Sequence, residues 1–309
     1  MKLEFLICGS LNDSFLSQIA FFRKCLDFLG GDYQQARLVA SLGDHQTNEL
    51  PSEWAPYFDR IEVCFAHEPG APNPYHEAQH ERRFELIDDS ADVSVLVDAD
   101  VAILAPMDEL IGQVMTTQAV AGVIAHYHFP WDAGSGDAVK DWSYFYRRLL
   151  GRSFTPEYSY TLKRPQTGAE APFYINYGVF AGSPKQLRAF DTRERSLRPL
   201  VRAEVGDVWC YQVGLALTCS SLDLPTLALP MRYNFPNDPL ADQLYPDDLE
   251  QIVFMHYLRT KLFSRSEIFA SAEAFDAFLS MQLEGSNERF QAHVRAVTNG
   301  KYPFPRVSN

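Results

Sequence analysis

Two carboxylates separated by one residue stand directly after an apolar run. In the segment VSVLVDADVAIL, residues 93–104, five apolar or small residues lead into Asp98 and Asp100, and apolar sequence resumes at Val101. Two aspartates with this spacing can bind one divalent cation, and their hard oxygen atoms suit Mg²⁺ or Mn²⁺. The alternative is structural: Asp98 caps the following turn and Asp100 is solvated.

A histidine supplies a third candidate ligand. The segment IVFMHY, residues 252–257, predicts a strand that ends near His256. A neutral imidazole beside two carboxylates would complete a set of three protein ligands for Mn²⁺. Lys261 and Arg83 are cations whose N–H groups could bind the oxygen atoms of a phosphate group. A core histidine and two solvated charges are the ordinary alternatives for these three residues.

The elements that must position these residues alternate between strands and helices. Apolar runs predict strands at residues 3–9, 36–43, 61–66, 93–97, 173–182 and 252–257. Helical patterns cover residues 15–29, 75–87, 207–219 and 266–283. This order favours an α/β fold with a mainly parallel sheet covered by helices, in which ligands bind beyond the carboxyl ends of the strands. By position, Cys8, Gly9 and Ser10 are therefore expected to face a nucleotide base and ribose.

Composition limits the class of protein. The chain has 309 residues, of which 46% are hydrophobic, so it can bury a sizeable core. A formal net charge of -13 argues against a nucleic-acid-binding protein. The five cysteines are scattered without CxxC spacing, which indicates neither a disulfide framework nor a zinc site and favours a cytoplasmic location. No apolar stretch has the length of a signal peptide or a transmembrane segment.

Residues 126–171 are dense in aromatic residues, glycine and proline and lack a clear period. We interpret them as an insertion that carries a binding surface on the acceptor side. Tyr127, Trp131, Trp142, Tyr144 and Tyr146 suit stacking on sugar rings, because the CH faces of sugars are apolar. The alternative is that these aromatic side chains form the core of a subdomain.

The segment DADVAILAP resembles the metal-binding DxD segment of GT-A fold glycosyltransferases. The resemblance is closest to family 8, which includes bacterial retaining galactosyl- and glucosyltransferases and the relatives of glycogenin. Further matching motifs follow the family's order: RRFEL with Arg83, YINYGVF with Asn176 and Gly178, YQVGLAL with Gln212, MRYNF with Arg232 to Asn234, and VFMHY with His256. The chain departs from the family at Tyr211, where an aspartate is usual, and at residues 258–261, where the family has glycine and then Lys-Pro-Trp.

The resemblance implies a metal-dependent glycosyltransferase that moves a hexose from a nucleotide-diphosphate sugar, UDP-linked, to a hydroxyl of a saccharide or other acceptor, with retention. It implies a GT-A domain over residues 1–265 and a C-terminal helical extension over residues 266–309. The implied ligands of Mn²⁺ or Mg²⁺ are Asp98, Asp100 and His256. The catalytic candidates are Gln212 and Asn176, with Asp207 as the residue that could instead act as a base. The donor-binding candidates are Cys8, Gly9, Ser10, Arg83, Asp98, Ala99, Asp100, Gly178 and Lys261.

Two other function classes stay open at the level of the sequence. Haloacid dehalogenase-like Mg²⁺-dependent phosphatases also place DxD after an apolar strand, with the first aspartate as nucleophile and the second as acid and base. Their nucleophile normally lies on the first strand of its domain, whereas Asp98 follows at least three predicted strands. A non-catalytic nucleotide-sugar-binding protein would keep the same site without turnover.

Overall fold

The structure, a computed structural model, describes residues 1–43, 47–65, 82–166 and 168–304. The strands in these residues are β1 (Leu3–Gly9), β2 (Arg37–Leu42), β3 (Glu62–Cys64), β4 (Val93–Val97), β5 (Val101–Ile103), β6 (Val120–Ile124), β7 (Ile175–Gly182), β8 (Thr226–Ala228), β9 (Phe235–Pro236) and β10 (Phe254–His256). A seven-stranded sheet has the order β3-β2-β1-β4-β7-β6-β8, and a three-stranded sheet has the order β5-β10-β9.

The large sheet is mainly parallel, as predicted. The strands β3, β2, β1 and β4 run parallel to one another, and β6 runs parallel to β8. The exception is β7, which runs antiparallel to both β4 and β6, with Val97 opposite Val179 and Ile124 opposite Ile175. The carboxyl ends of β1, β4 and β6 and the beginning of β7 therefore meet at one edge of the sheet.

Helices surround the two sheets. In the described residues the α-helices are α1 (Asp13–Leu29), α2 (Gly31–Gln35), α3 (Asp108–Thr117), α4 (Ala138–Phe145), α5 (Pro184–Ser221), α6 (Pro239–Leu244), α7 (Pro246–Leu249), α8 (Ala272–Leu279) and α9 (Gly285–Thr298). The start of α1 agrees with its sequence signal, because the side chain of Asn12 accepts a hydrogen bond from the backbone N–H of Phe15 at 3.1 Å. None of these helices combines the length and the apolar character needed to cross a membrane.

The helix predicted over residues 266–283 is confirmed only for its central part, α8, and a further helix that the sequence did not predict, α9, follows those bounds. The side chain of Ser271 accepts a hydrogen bond from the N–H of Ala274 and starts α8. Gly285 has a φ of 57°, and the next N–H, of Ser286, donates to the carboxylate of Asp242 at 3.2 Å. This contact with a distant part of the chain fixes the start of α9, and it has no local sequence signal.

The helix predicted over residues 207–219 is only the second part of α5, which begins at Pro184. The first part has a weak apolar pattern because it buries charged side chains, among them Glu194 and Arg198, which form an ion pair. At Gly206 the backbone has a φ of 75°, which interrupts the helix before Asp207. Most of the helix predicted over residues 75–87 lies outside the described residues, and its end forms a 3₁₀ turn at Arg83–Leu86.

The main hydrophobic core joins the central strands to the C-terminal helices. Phe275 of α8 and Phe290 of α9 are fully buried in the same cluster as β1, β4 and β5. The ring of Phe290 stacks on Tyr257, directly after β10, with 4.4 Å between the ring centroids. Aromatic pairs of this kind add about 0.5–1.5 kcal/mol beyond the area that they bury. The C-terminal helices thus stabilise the strand that carries His256.

The insertion over residues 126–171 contains α4, which the sequence did not predict. The side chain of Asp137 caps this helix by accepting hydrogen bonds from two backbone N–H groups. Trp142 and Tyr146 are buried in a second hydrophobic cluster, so the structural interpretation applies to them. Tyr127 and Tyr144 are 48% and 41% exposed and remain candidates for contact with a sugar.

Candidate functional site

Asp98 lies at the sheet edge where the strand ends converge. It follows β4 directly, and its backbone N–H donates to the carbonyl of Gly178 on β7 at 2.9 Å. The N–H of Val101 then donates to the carbonyl of Asp98 at 3.2 Å, which closes a tight turn. Ala99 is buried inside this turn, and its carbonyl accepts a hydrogen bond from the hydroxyl of Tyr257 at 3.3 Å. Backbone contacts therefore hold the DxD turn on both sides.

The small sheet brings His256 to the same turn. Strands β5 and β10 run antiparallel with Val101 opposite His256, and the N–H of Tyr257 donates to the carbonyl of Asp100 at 3.0 Å. One ligand atom from each of Asp98, Asp100 and His256 lies within 4.8 Å of the others. The structure thus brings together the three predicted metal ligands, while metal binding itself stays a prediction.

The tautomer of His256 is set by Asn234. The Nδ1 atom of His256 lies 3.0 Å from Oδ1 of Asn234, and since an amide oxygen can only accept, Nδ1 carries the proton. The Nε2 atom is left with a lone pair and lies 3.4 Å from Oδ1 of Asp100. Burial lowers the pKa of His256 to about 4 although the charge of Asp98 raises it, so the ring is neutral at pH 7.

This donor set fits a divalent cation. Nε2 of His256 and Oδ1 of Asp100 face each other at 3.4 Å, so a cation placed beside them would contact both atoms. Neutral imidazole and ionised carboxylate are the forms of these groups that bind metals. A hydrogen bond to the second ring nitrogen, as Asn234 provides, is the usual way in which a metal-binding histidine is oriented.

Gly178 is needed because the imidazole of His256 occupies the space beside it. A Cβ atom on residue 178 would lie 2.7 Å from Nδ1 of His256 and closer still to Cε1 of the same ring. Real Cβ atoms do not approach other atoms this closely. Gly178 was predicted to contact the donor, and that contact stays a prediction. The structure gives a different reason for the glycine: the absence of a side chain at residue 178 leaves space for the ring of His256.

Arg83 is completely buried behind the end of β4. Its Nη1 atom donates to the carbonyl of Val97 at 3.3 Å and contacts Sγ of Cys8 at 3.6 Å, and its guanidinium lies over the ring of Tyr177 at 5.6 Å. Burial by itself lowers the pKa of Arg83, and the neighbouring Cys8, Tyr177 and Asp98 more than offset that effect. The guanidinium of Arg83 therefore stabilises the end of β4, which carries the DxD turn. Its contact with a diphosphate stays a prediction.

The predicted nucleotide-facing residues after β1 have structural contacts. The side chain of Cys8 is buried. A Cβ on Gly9 would lie 3.0 Å from Ile19 and 3.1 Å from Phe15, both on α1. The hydroxyl of Ser10 donates to the carbonyl of Gly43 at 2.9 Å. These contacts explain how the end of β1 is held at the site edge, and contact with a nucleotide stays a prediction.

The side chains of Asn176 and Gln212 each bond to the backbone near the beginning of β7. The side-chain Oδ1 of Asn176 accepts from the N–H of Gly178 at 2.9 Å. The side-chain Nε2 of Gln212 donates to the carbonyl of Ile175 at 2.8 Å, which ties α5 to β7. Because β7 begins beside the end of β4, both amides lie at the sheet edge that carries Asp98.

Asp207 and Tyr211 belong to a separate polar cluster on α5. The carboxylate of Asp207 is 73% exposed and pairs with Arg202 at 2.9 Å. Arg202 also donates to the hydroxyl of Tyr211 at 2.9 Å, and the guanidinium of Arg198 lies over the Tyr211 ring at 5.2 Å. The residue that replaces the expected aspartate is thus part of a buried network of arginine and tyrosine side chains. The structure does not group Asp207 with the three candidate metal ligands.

Lys261 lines a cavity beside β10. The cavity has a volume of about 380 Å³, and Asn237, Asp238, Arg259 and Asn287 are also in its wall. The N–H of Asn237 donates to the carbonyl of His256 at 3.3 Å, so the cavity adjoins the strand that carries the candidate ligand. Arg259 pairs with Asp238 at 3.2 Å.

The sequence did not predict three further polar residues near the candidate ligands. Asn234 lies in the quoted MRYNF segment but was given no role, and Arg265 contacts the carboxylate of Asp100. His126 is buried just beyond β6, and burial, aided by the neighbouring His256 and Arg259, lowers its pKa to about 3. The sequence could have indicated His126, because this residue follows an apolar strand, β6, whose end reaches the same sheet edge.

Known structures with the same fold are glycosyltransferases. The galactosyltransferase LgtC, solved with donor and acceptor sugar analogues, is 14% identical with a TM-score of 0.51, and the match covers 83% of this chain and 87% of LgtC. GlyE of Streptococcus pneumoniae is 13% identical with a TM-score of 0.51, over 100% of this chain and 66% of GlyE. The bifunctional glycosyltransferase WbbM is 10% identical with a TM-score of 0.52, over 84% of this chain and 46% of WbbM.

No protein-family model matches the chain, and no curated protein is significantly similar to it in sequence. The chain spans less than half of WbbM and about two thirds of GlyE. At 10 to 14% identity these similarities establish the fold, and the finer assignment to family 8 stays a prediction. The mainly parallel sheet and the structural neighbours together show that this chain has the GT-A glycosyltransferase fold.

Proposed function

We propose that this protein is a metal-dependent glycosyltransferase that moves a hexose from a UDP-sugar to a hydroxyl of a saccharide or other acceptor. The observation that carries the proposal is the convergence of Asp98, Asp100 and His256, whose ligand atoms lie within 4.8 Å of one another at the carboxyl edge of the sheet. Ligands of α/β sheets bind at this edge. The structural neighbour LgtC, which has a similar fold, was solved in complex with donor and acceptor sugar analogues.

In the proposed site, Asp98, Asp100 and His256 hold Mn²⁺ or Mg²⁺, and Asn234 keeps the imidazole in the tautomer that can bind metal. The bound metal would supply Lewis-acid stabilisation of the negative charge on the departing diphosphate. Cys8, Gly9 and Ser10 at the end of β1 are the proposed nucleotide-facing residues. Lys261 is exposed beside the cavity next to β10, where its ammonium group can reach an anionic ligand.

We further propose that transfer retains the anomeric configuration. An inverting enzyme needs a carboxylate or histidine as general base on the acceptor hydroxyl. The amides of Asn176 and Gln212 cannot accept a proton at neutral pH, and they lie at the edge that carries Asp98. Asp207, the competing base, pairs with Arg202 instead. In this proposal the departing diphosphate accepts the acceptor's proton on the same face of the sugar.

Two alternatives receive less support. In those phosphatases the nucleophile normally lies on the first strand of the domain, whereas Asp98 follows β4, the fourth strand along the chain in the described residues. The non-catalytic binder requires the same site without turnover. A cytoplasmic location stays a prediction from the cysteine pattern.

A panel of nucleotide sugars tests the proposed function. UDP with Mn²⁺ should raise the melting temperature more than GDP or ADP with Mn²⁺, because base recognition requires polar groups that a wrong base leaves unpaired. Slow Mn²⁺-dependent hydrolysis of one UDP-sugar identifies a transferase. Aryl phosphate hydrolysis would instead indicate the phosphatase, and stabilisation without any turnover would indicate the binder.

A further inference from the structure

Arg265 lies against the candidate metal ligands without an assigned role. Its Nη1 atom forms an ion pair with Oδ2 of Asp100, while the other carboxylate oxygen of Asp100 faces Nε2 of His256 at 3.4 Å. The side chain of Arg265 is 44% exposed, and that of Asp100 is 9% exposed. The guanidinium thus approaches a buried carboxylate from the solvent side, on the segment between β10 and α8.

We propose that Arg265 is a donor-binding residue, whose guanidinium neutralises Asp100 in the metal-free protein and pairs with the diphosphate of the donor once a metal is bound. This inference rests on the proposed function and adds one binding residue to it. A guanidinium suits both partners, because its planar set of N–H donors matches the oxygen atoms of carboxylate and phosphate alike.

The charge balance of the site supports the exchange. In the metal-free protein the carboxylates of Asp98 and Asp100 lie close together beside His256, and Arg265 pairs with one of them. A divalent metal on the three ligands would balance both carboxylates by itself. The charge of Arg265, which cannot lose its proton, would then be in excess and would need a new anion close by. A diphosphate whose oxygen atoms complete the coordination of the metal is such an anion.

The other cations near the site are already engaged or placed differently. Arg83 is completely buried and bonds to the carbonyl of Val97, and Arg259 pairs with Asp238 at 3.2 Å. Lys261 faces the neighbouring cavity. Arg265 is partly exposed and already contacts a candidate metal ligand, which are the two properties that an exchange of anionic partners requires.

The test measures two affinities in the Arg265→Gln variant. Isothermal titration with Mn²⁺ alone should show about tenfold tighter binding than in the wild type, because a competing cation has been removed. Titration with UDP at saturating Mn²⁺ should show about tenfold weaker binding, because a charged hydrogen bond to phosphate has been lost. Arg265→Lys keeps the charge without the planar donor pair, and its two affinities should lie between those of the wild type and those of Arg265→Gln. Arg289→Gln is the control, since Arg289 pairs with Glu250 on the surface.

Changes of opposite sign in the two affinities support the proposal, because a purely structural role would change both in the same direction. If the wild type binds both ligands but Arg265→Gln has unchanged affinities, or loses Mn²⁺ and UDP binding together, this inference is overturned. The proposed function would then still stand. A wild-type protein that binds neither ligand would refute the proposed function and this inference together.

Discussion

Replacing Gly178 with alanine should damage the candidate metal site without touching any candidate ligand. An added Cβ would lie 2.7 Å from Nδ1 of His256, and ordinary contacts begin at 3.4 Å, so the ring must move by the difference, about 0.7 Å or more. Metal–ligand distances in a genuine site lie within about 0.2 Å of their usual values, so a shift of this size would spoil the geometry. The movement would also strain the hydrogen bond between Nδ1 and Asn234, which measures 3.0 Å.

We expect Gly178→Ala to weaken Mn²⁺ binding about 10- to 100-fold, the range found when the support of a metal-binding histidine is removed. This corresponds to about 1.4 to 2.8 kcal/mol of binding free energy. Overpacking should also lower the free energy of unfolding by about 1–3 kcal/mol. Isothermal titration with Mn²⁺ measures the first effect, and urea denaturation measures the second.

A matched control lies on the same strand. At Gly182 an added Cβ would approach the side chain of Leu187 most closely, at 3.1 Å, and would be no nearer than 3.7 Å to the carbonyl of Ala119, so Gly182→Ala should leave Mn²⁺ binding unchanged. In a His256→Ala background the colliding ring is absent, and Gly178→Ala should then have little further effect on unfolding. Wild-type Mn²⁺ affinity in Gly178→Ala, or equal losses in both glycine variants, would refute this explanation of the glycine.

Three further predictions concern other parts of the site and the core. Asn234→Ala should weaken Mn²⁺ binding about 10- to 100-fold by releasing Nδ1 of His256, and Asn234→Asp, which keeps an acceptor oxygen, should restore most of it in the same titration. Burial lowers the pKa of His126 from 6.5 to about 3 and that of His293 from 6.5 to about 4, so the unfolded chain binds more protons below pH 6.5. The free energy of unfolding should therefore fall as the pH drops from 6.5 towards 4, by up to about 1.4 kcal/mol per pH unit for each ring, and urea denaturation of His126→Gln should show a shallower slope. Gln212→Ala should reduce kcat far more than donor affinity, and proton NMR should show an α-linked product from an α-linked donor, whereas a β-linked product would exclude retention.

The parts of the fold that the sequence predicts are those with local signals. Apolar runs predicted β1 and β4 with the observed bounds, and Asn12 caps α1 as its residue type suggests. The DxD pair could be placed at a strand end because the apolar run stops at Val97. The predicted strand end made His256 a candidate ligand, and the resemblance to a known family was what paired it with the DxD residues, since nothing local joins residues so far apart in the chain.

The contacts that give the site its chemistry could not be predicted, because they join distant segments. Asn234 meets His256 only after β9 and β10 pair, and Arg265 meets Asp100 only after β10 pairs with β5. Gly178 looked like a point of close approach, but the sequence did not show that a histidine ring approaches it. The first half of α5 was missed for another reason, because its buried ion pairs hide the apolar period on which helix prediction relies.

The most direct test of the metal-dependent nucleotide site is titration of the wild type and of Asp100→Asn with UDP, each in Mn²⁺ and in EDTA. The substitution removes one of the three converging ligand groups and keeps the size of a buried side chain, so the fold should persist and circular dichroism can verify it. The account predicts that the wild type binds UDP in Mn²⁺ but not in EDTA, and that Asp100→Asn binds UDP in neither. UDP binding by the wild type that is equally tight in EDTA, or undiminished Mn²⁺-dependent binding by folded Asp100→Asn, would contradict the central claim.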